Sequence, residues 1–265
     1  MVAQSGSQRG QCTVAWGPAG ASAAGSRGDI VVVVDTLSFA TSTVTAVTYG
    51  AHIYPCALHD DAAAMAECVD AQTAVRREEV PARGRFSLSP LTFLGISPGT
   101  RVVLPAVNGG ACTLAASPAP TIFAAGLVNA TATASALTQL LEEDSALGVT
   151  IVACGEQELG ATGPLLRFAA EDLIGAGGII AALTCAKSPE AEAAEGTFLH
   201  LRDRIEDALL GSISGRELCD RGFRDDVCFA AQLDAYPSVA VLVDGCFSLW
   251  RQPGSAPERP SVGAT

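Results

Sequence analysis

Five acidic and turn-forming stretches in this sequence carry the residue types that hold a hard cation or an anion. Asp35 follows an apolar run at 30–34 and precedes Ser38, Thr41, Ser42 and Thr43. Asn108-Gly109-Gly110 follows 101–104, Asn129 follows 121–124, Glu156 follows 149–154, and Glu171-Asp172 comes soon after. Carboxylates suit a divalent hard cation, and Mg²⁺ needs only one or two, with waters and substrate oxygens completing its shell. Hydroxyls and free N–H groups at a helix start make an anion cradle, and glycines let backbone N–H groups approach a ligand closely. Each residue also has a structural reading. Asp35 suits a turn, Thr41 to Thr43 a helix cap, and Asn108-Gly109-Gly110 a turn. Glu156 shares a loop with Glu158, and Glu171-Asp172 suit a helix dipole at about 0.3–1 kcal/mol each. Their common position at strand ends of one sheet, where α/β proteins bind ligands, favours the chemical reading.

Several chemistries are absent. No GxxxxGK[ST] occurs, no Cys has an Arg six positions later, and Asp35-Thr36-Leu37 lacks a second aspartate. His52, His59 and His200 are isolated and make no zinc motif, so they are read as structural or surface residues. The net charge is −12 with no Lys/Arg run, which argues against nucleic acid and anionic membranes. An anionic substrate would then need locally bound positive charge, such as a divalent ion. The longest apolar run, 30–34, is far too short to span a bilayer. Residues 1–11 are polar and lack a signal h-region. Nine cysteines without a CxxC pair read as buried thiols in a reducing compartment. The expectation is a cytoplasmic protein.

The elements that position these residues follow from pattern. Residues 12–15 read as a short strand, followed by a Gly/Ala/Ser loop to about 28. The unbroken β-branched run at 30–34 reads as a strand covered on both faces. A helix follows to Tyr49 with Gly50 at its end. Residues 51–54 form a strand stopped by Pro55, and Asp60 caps a helix to about Val75. Residues 76–99 read as loop. Strands at 101–104, 121–124 and 149–154 alternate with helices at 109–116 and 130–143, the second capped by Asn129. Helices are expected at 168–183, 190–210, 215–220 and 227–233, with a last strand at 239–243. This alternation predicts a doubly wound α/β fold, its largely parallel sheet flanked by helices. It is organised as residues 1–28, a main region 29–250 and a flexible tail 251–265. Two subdomains meeting near 145–165 are an option.

The ordered strings resemble those of the 2-phosphosulfolactate phosphatase family. VVVVDTLSFATSTVTAVTYGA (31–51) is similar to its strand, D-V-L-R-A-T-T-T and helix, and RFSLSP (85–90) to its G-F-D-L-G-N-S-P. RVVLPAVNGGACTLAA (101–116) resembles its strand and T-N-G-T-R-A, and AAGLVNATATASAL (124–137) its G-S-x-x-N-A. IVACGEQELG (151–160), RFAAEDLIGAGGII (167–180) and DDVCFAAQLDAYPSVAVLVDG (225–245) match later pieces in order.

The resemblance implies Mg²⁺-dependent hydrolysis of a small phosphomonoester and a homodimer. Asp35, Asn108, Gly109, Asn129, Glu171 and Asp172 fall on positions of the family's motifs, and Glu156 in the matching loop. The roles expected of them go beyond that match, with Asp35, Glu156 and Asp172 on the metal, Asp35 and Glu171 catalytic, and Glu171 a base. Ser38, Thr41, Ser42, Asn108, Gly109, Gly110, Asn129 and Arg167 would bind the substrate and its phosphoryl group. The departures fall on anion-binding positions. Ser38 stands where the family has Arg, Asn108-Gly109-Gly110-Ala111 replaces N-G-T-R, and Ser87 replaces an acid. Arg77, Arg85 or Arg167 is left to supply a guanidinium from elsewhere. The alternative is a catalytically inactive small-anion binding or scaffold protein on the same fold.

Overall fold

The computed structural model describes residues 10–57, 60–160 and 163–251. β1 (Gln11–Trp16) runs straight into α1 (Gly17–Arg27), where the sequence reads as a loop. Glycine and serine do not favour a helix alone, but here Ala21, Ala24 and Gly25 are on the buried face, Pro18 sits in the first turn, and Gly28 (φ 77°) ends it. β2 (Ile30–Val34), α2 (Phe39–Thr48) and β3 (His52–Cys56) follow. Pro55 lies inside β3 instead of stopping it. It pairs with Leu104 on one side, while the other neighbour touches β3 only at Ile53, so the missing N–H breaks no ladder there. α3 (Ala62–Val69) is capped by Asp61, not Asp60, through the N–H groups of Ala63 and Ala64. It ends at left-handed Asp70, short of Val75, and yields β4 (Gln72–Thr73).

After a long connection come β5 (Arg101–Pro105), α4 (Gly109–Ala115), β6 (Ile122–Ala124), α5 (Ala130–Glu143) and β7 (Val149–Ala153). Residues read as loop and helix entry then form a hairpin, β8 (Glu156–Gly160) and β9 (Gly163–Arg167). α6 (Ala170–Ala181), β10 (Ala186–Lys187), α7 (Pro189–Leu201), α8 (Ile205–Gly211), α9 (Ile213–Asp220) and α10 (Arg224–Ala230) follow. The single helix expected at 190–210 is broken by a tight turn at Arg202–Arg204. β11 (Ala240–Val243) is not the last strand; β12 (Cys246–Leu249) pairs back on it. Residues 252–265, most of the expected tail, and His59 lie outside the described residues.

Ten strands form one sheet in the order β10-β1-β7-β2-β6-β11-β12-β3-β5-β4. β7, which crosses the segment where a subdomain boundary was placed, lies between β1 and β2. Period-two alternation explains why β2 is apolar throughout. Val31 and Val33 face a core with Ala21, Phe39, Val44 and Cys112. Ile30, Val32 and Val34 face another with Leu137, Ala176, Ile179 and Ala191. The sheet is therefore covered on both sides. A third cluster joins Leu127 and Ile174 to Phe198, Leu209, Leu218 and Val227 of the C-terminal helices. Among the described residues no helix is long and apolar enough to cross a membrane.

The sheet consists of two parallel blocks joined by the antiparallel β11–β12 pair. Three successive antiparallel pairings make the β3-β5-β4 block run opposite to the β2 block. In a flat sheet β2 and β5 would lie about 24 Å apart, five steps of about 4.8 Å. Yet the N–H of Gly109, just after β5, donates to Asp35, just after β2, at 2.8 Å. The sheet is therefore not flat: it curls as well as twists, so that the chain leaving β5 comes back to the end of β2. The candidate residues thus converge from two facing blocks rather than along one straight edge.

Candidate active site

Asp35 leaves β2 and turns its carboxylate into backbone donors. Oδ1 accepts from Phe39 N–H at 3.1 Å and Oδ2 from Gly109 N–H at 2.8 Å. Asp172, in the first turn of α6, is held the same way, accepting from Thr36 N–H at 2.8 Å and Gly155 N–H at 2.9 Å. Both are buried. Burial pushes Asp35 from 3.8 up to about 6, against the pull of its two N–H partners, with Glu171 adding to the rise. Burial, then the charges of Asp35 and Glu171, hold Asp172 well above the usual carboxylate range. Among the described residues neither carboxylate accepts a bond from a basic side chain. Two acids are thus fixed as a repelling pair by four N–H groups.

Local sequence explains this cradle. Gly155 adopts φ 64°, and a Cβ there would lie 2.9 Å from the Arg167 carbonyl, so glycine is needed where the chain leaves β7. Gly109 and Gly110 serve close packing: a Cβ would meet the Phe39 ring at 2.3 Å or the Cys56 carbonyl at 2.4 Å. Thr36 ties the two acids together, donating its hydroxyl to the Glu171 carbonyl at 3.0 Å. Glu171 itself is buried.

Glu156 begins β8 rather than lying in a loop. Its carboxyl is raised by burial, lowered by a bond with Asn108 and raised again by Asp35. Asn108 also accepts from Gln157 N–H at 3.0 Å, so it docks the hairpin onto the end of β5. Cys154, fully buried beneath the acids, has its thiol held well above its usual value by burial and by Cys112. That removes it as a nucleophile.

The remaining predicted residues divide. Thr41 donates to Thr36 O (2.9 Å) and Ser42 to Leu88 O (2.9 Å), so these hydroxyls bind protein. Asn129 does not cap α5 with its side chain. It is buried and bridges Gly126 N–H and Ser238 O. Arg167 pairs with Glu158 and Glu217 on the hairpin side, although Glu156 still feels its charge. Arg85 stacks over Phe86. Ser38 accepts from Arg77 at 2.7 Å and donates to no group among the described residues.

Arg77 completes a network whose other members the sequence did not signal. Its Nε donates to Asp226 at 2.8 Å and its Nη2 to Leu88 O at 2.9 Å, while Ser89 donates to Asp226 at 2.6 Å. Arg77 and Asp226 are almost wholly buried and come from the loop before β5 and from α10. Of the histidines, His200 is exposed and meets Arg204, whereas His52 keeps a buried Nδ1 without a partner among the described residues.

Among the described residues no three His, Cys, Asp or Glu side chains gather into a ready-made metal centre, the trio Asp35, Glu156 and Asp172 included. The donor set still fits Mg²⁺. Asp35 and Asp172 offer hard oxygens, and a divalent charge would relieve the repulsion that raises both.

Fold and site define an α/β protein with a pair of buried, backbone-held carboxylates where two parallel blocks meet. Residues 18–245 match the model of the 2-phosphosulpholactate phosphatase family, and the chain belongs to that family. The match starts in α1, earlier than the strings that suggested it, and ends in the β11–β12 turn. No curated protein matches the sequence.

Proposed function

We propose that the protein hydrolyses a small phosphomonoester, 2-phosphosulfolactate or a related phosphorylated hydroxy acid, to the alcohol and phosphate. The observation that carries this reading is the pair Asp35 and Asp172, buried, fixed by four backbone N–H groups and lacking a cationic partner among the described residues. These two carboxylates would hold Mg²⁺, with Glu156 at the edge of the site. When bound, the ion supplies charge to polarise the phosphoryl group and lower the pKa of a water. Glu171 takes the proton of the attacking water. The free hydroxyl proton of Ser38 is donated to a phosphoryl oxygen, and Arg77 orients that hydroxyl. Backbone anchoring keeps the acids in place without reorganisation, the condition for electrostatic catalysis. The reading includes a homodimer and a cytoplasmic setting; all nine thiols are free, which supports the latter.

Phosphate release from 2-phosphosulfolactate and a panel of small phosphomonoesters, with Mg²⁺ or with chelator, tests the proposal. Metal-dependent release supports it, and a folded, metal-loaded protein inert toward every ester sinks it. One observation favours the non-catalytic anion-binding alternative: Thr41, Ser42 and Gly109 N–H spend their donors inside the protein. Inert protein that still binds phosphate would establish that alternative.

A further inference from the structure

A cavity of about 440 Å³ is lined by Ala74, Val75, Leu88, Pro105 and Val107, by Glu79, and by the arginines 76, 77 and 221. Two connections tie it to the site. Arg77 reaches from its wall to Ser38, and its charge is felt at Asp35. Val107 directly precedes Asn108, the partner of Glu156. In a chain of net charge −12, three guanidiniums line this one cavity against a single acid, Glu79. Glu79 is itself engaged by Arg83.

The three arginines are not equivalent. Arg77 is buried and committed to Asp226, Ser38 and Leu88. Among the described residues Arg221 pairs only with exposed Glu78, and it rests on Phe223. Arg76 forms none of the ion pairs among the described residues. Planar guanidiniums are suited to oxyanions, and the apolar walls suit a short carbon skeleton. We propose that this cavity receives the second, non-reacting anionic group of the substrate, a carboxylate or sulfonate, through Arg76 and Arg221. The inference rests on the phosphatase reading for the word substrate. It places the acid-recognising charge on the 76–88 loop and the end of α9, away from the turns at Ser38 and Ala111.

The test uses the full chain with chelator present and sulfoacetate, a dianion without phosphate, as the calorimetric probe. Arg76→Gln and Arg221→Gln should each weaken binding about fivefold and together at least about twentyfold, because both are exposed enough for solvent to screen them. With Mg²⁺, the double variant should raise KM for phosphorylated hydroxy acids while leaving phenyl phosphate turnover unchanged. Wild-type protein that fails to bind sulfoacetate saturably, or a folded double variant that binds it equally well, overturns the proposal. Absence of phosphate release from phenyl phosphate and the acid esters alike, with sulfoacetate binding intact, would sink the phosphatase reading and leave the anion cavity standing.

Discussion

Acidifying the metal-free protein from pH 7 to pH 5 should stabilise it, and Asp35 sets the scale of the effect. Its carboxyl rises from 3.8 to about 6 on folding, chiefly through burial. A group whose folded pKa is raised favours the native state when protonated, so its contribution is full below the unfolded pKa and is lost as pH climbs to the folded one. At 1.36 kcal/mol per unit this amounts to about 3 kcal/mol lost at pH 7, of which roughly 1.3 kcal/mol returns by pH 5. Asp172 and Glu156, also raised, act in the same direction. So does general relief of the net charge, and the measurement must therefore be a difference. In Asp35→Asn, one of two N–H partners loses its acceptor, a penalty of about 1–3 kcal/mol that does not vary with pH. The slope is the diagnostic quantity. Urea unfolding at pH 5, 6 and 7 with chelator should show the wild type gaining about 1.3 kcal/mol more than the variant on acidification. Saturating Mg²⁺ should stabilise the wild type more at pH 7 than at pH 5, because ion and proton compete for the same oxygens. Equal slopes, or a wild type that gains stability as pH rises, would refute the account of a repelling buried pair.

Three further outcomes follow from the same geometry. Asp172→Asn should lower Mg²⁺-dependent phosphate release by about 100-fold or more while retaining the fold, checked by circular dichroism and steady-state kinetics. Arg77→Met should destabilise by about 3–5 kcal/mol in urea, since it strands the buried Asp226 carboxylate; Arg77→Met with Asp226→Leu should recover part of that loss. Gly155→Ala should destabilise by about 1–3 kcal/mol, because its φ of 64° and its 2.9 Å approach to the Arg167 carbonyl both disfavour a Cβ. It should also weaken Mg²⁺ binding, since the Gly155 N–H holds Asp172.

Much of the fold was legible because burial on two faces writes itself locally. The β2 run, the Gly50 stop and the 130–143 helix are encoded within a dozen residues, and the structure reproduces them. Features decided by distant packing were not legible. α1 is rich in Gly, Ser and Ala, and its helical state depends on setting a face of small residues against the core. Pro55 is tolerated only because of where β12 contacts β3, some 190 residues later. The hairpin 156–167 depends on Asn108 and Gln157 meeting across 49 positions. At the site, Asp35 and Glu171 lie near enough to Asp172 around β2 and α6 for their charges to act on it, and Glu156 on β8 feels Asp35 from the edge. Thr41, Ser42 and Asn129 meet backbone groups in the structure, partners the sequence does not specify, because a buried hydroxyl or amide has the same sequence signature whether its partner is substrate or backbone.

The arginines show most clearly what local strings conceal. Judged by its motifs, the chain lacks guanidiniums at Ser38 and Ala111 and so lacks the means to hold a second anion. In space, a guanidinium stands 2.7 Å from the Ser38 hydroxyl, brought there by Arg77, 39 positions away. It is fixed by Asp226, 149 positions from Arg77, on a C-terminal helix. A serine with an arginine behind it presents a shorter, neutral donor to the site and moves the positive charge outward, toward the cavity of Arg76 and Arg221. On the proposed reading, the acids and the arginines divide one task between two compartments. The carboxylate pair has the charge and burial to bind a cation and no means of binding an anion directly, while the arginine cavity has the opposite character. A ligand that satisfies both needs a cation-binding oxyanion at one end and a second anion a few bonds away. On that proposed reading, the requirement would favour phosphorylated acids over simple phosphate esters.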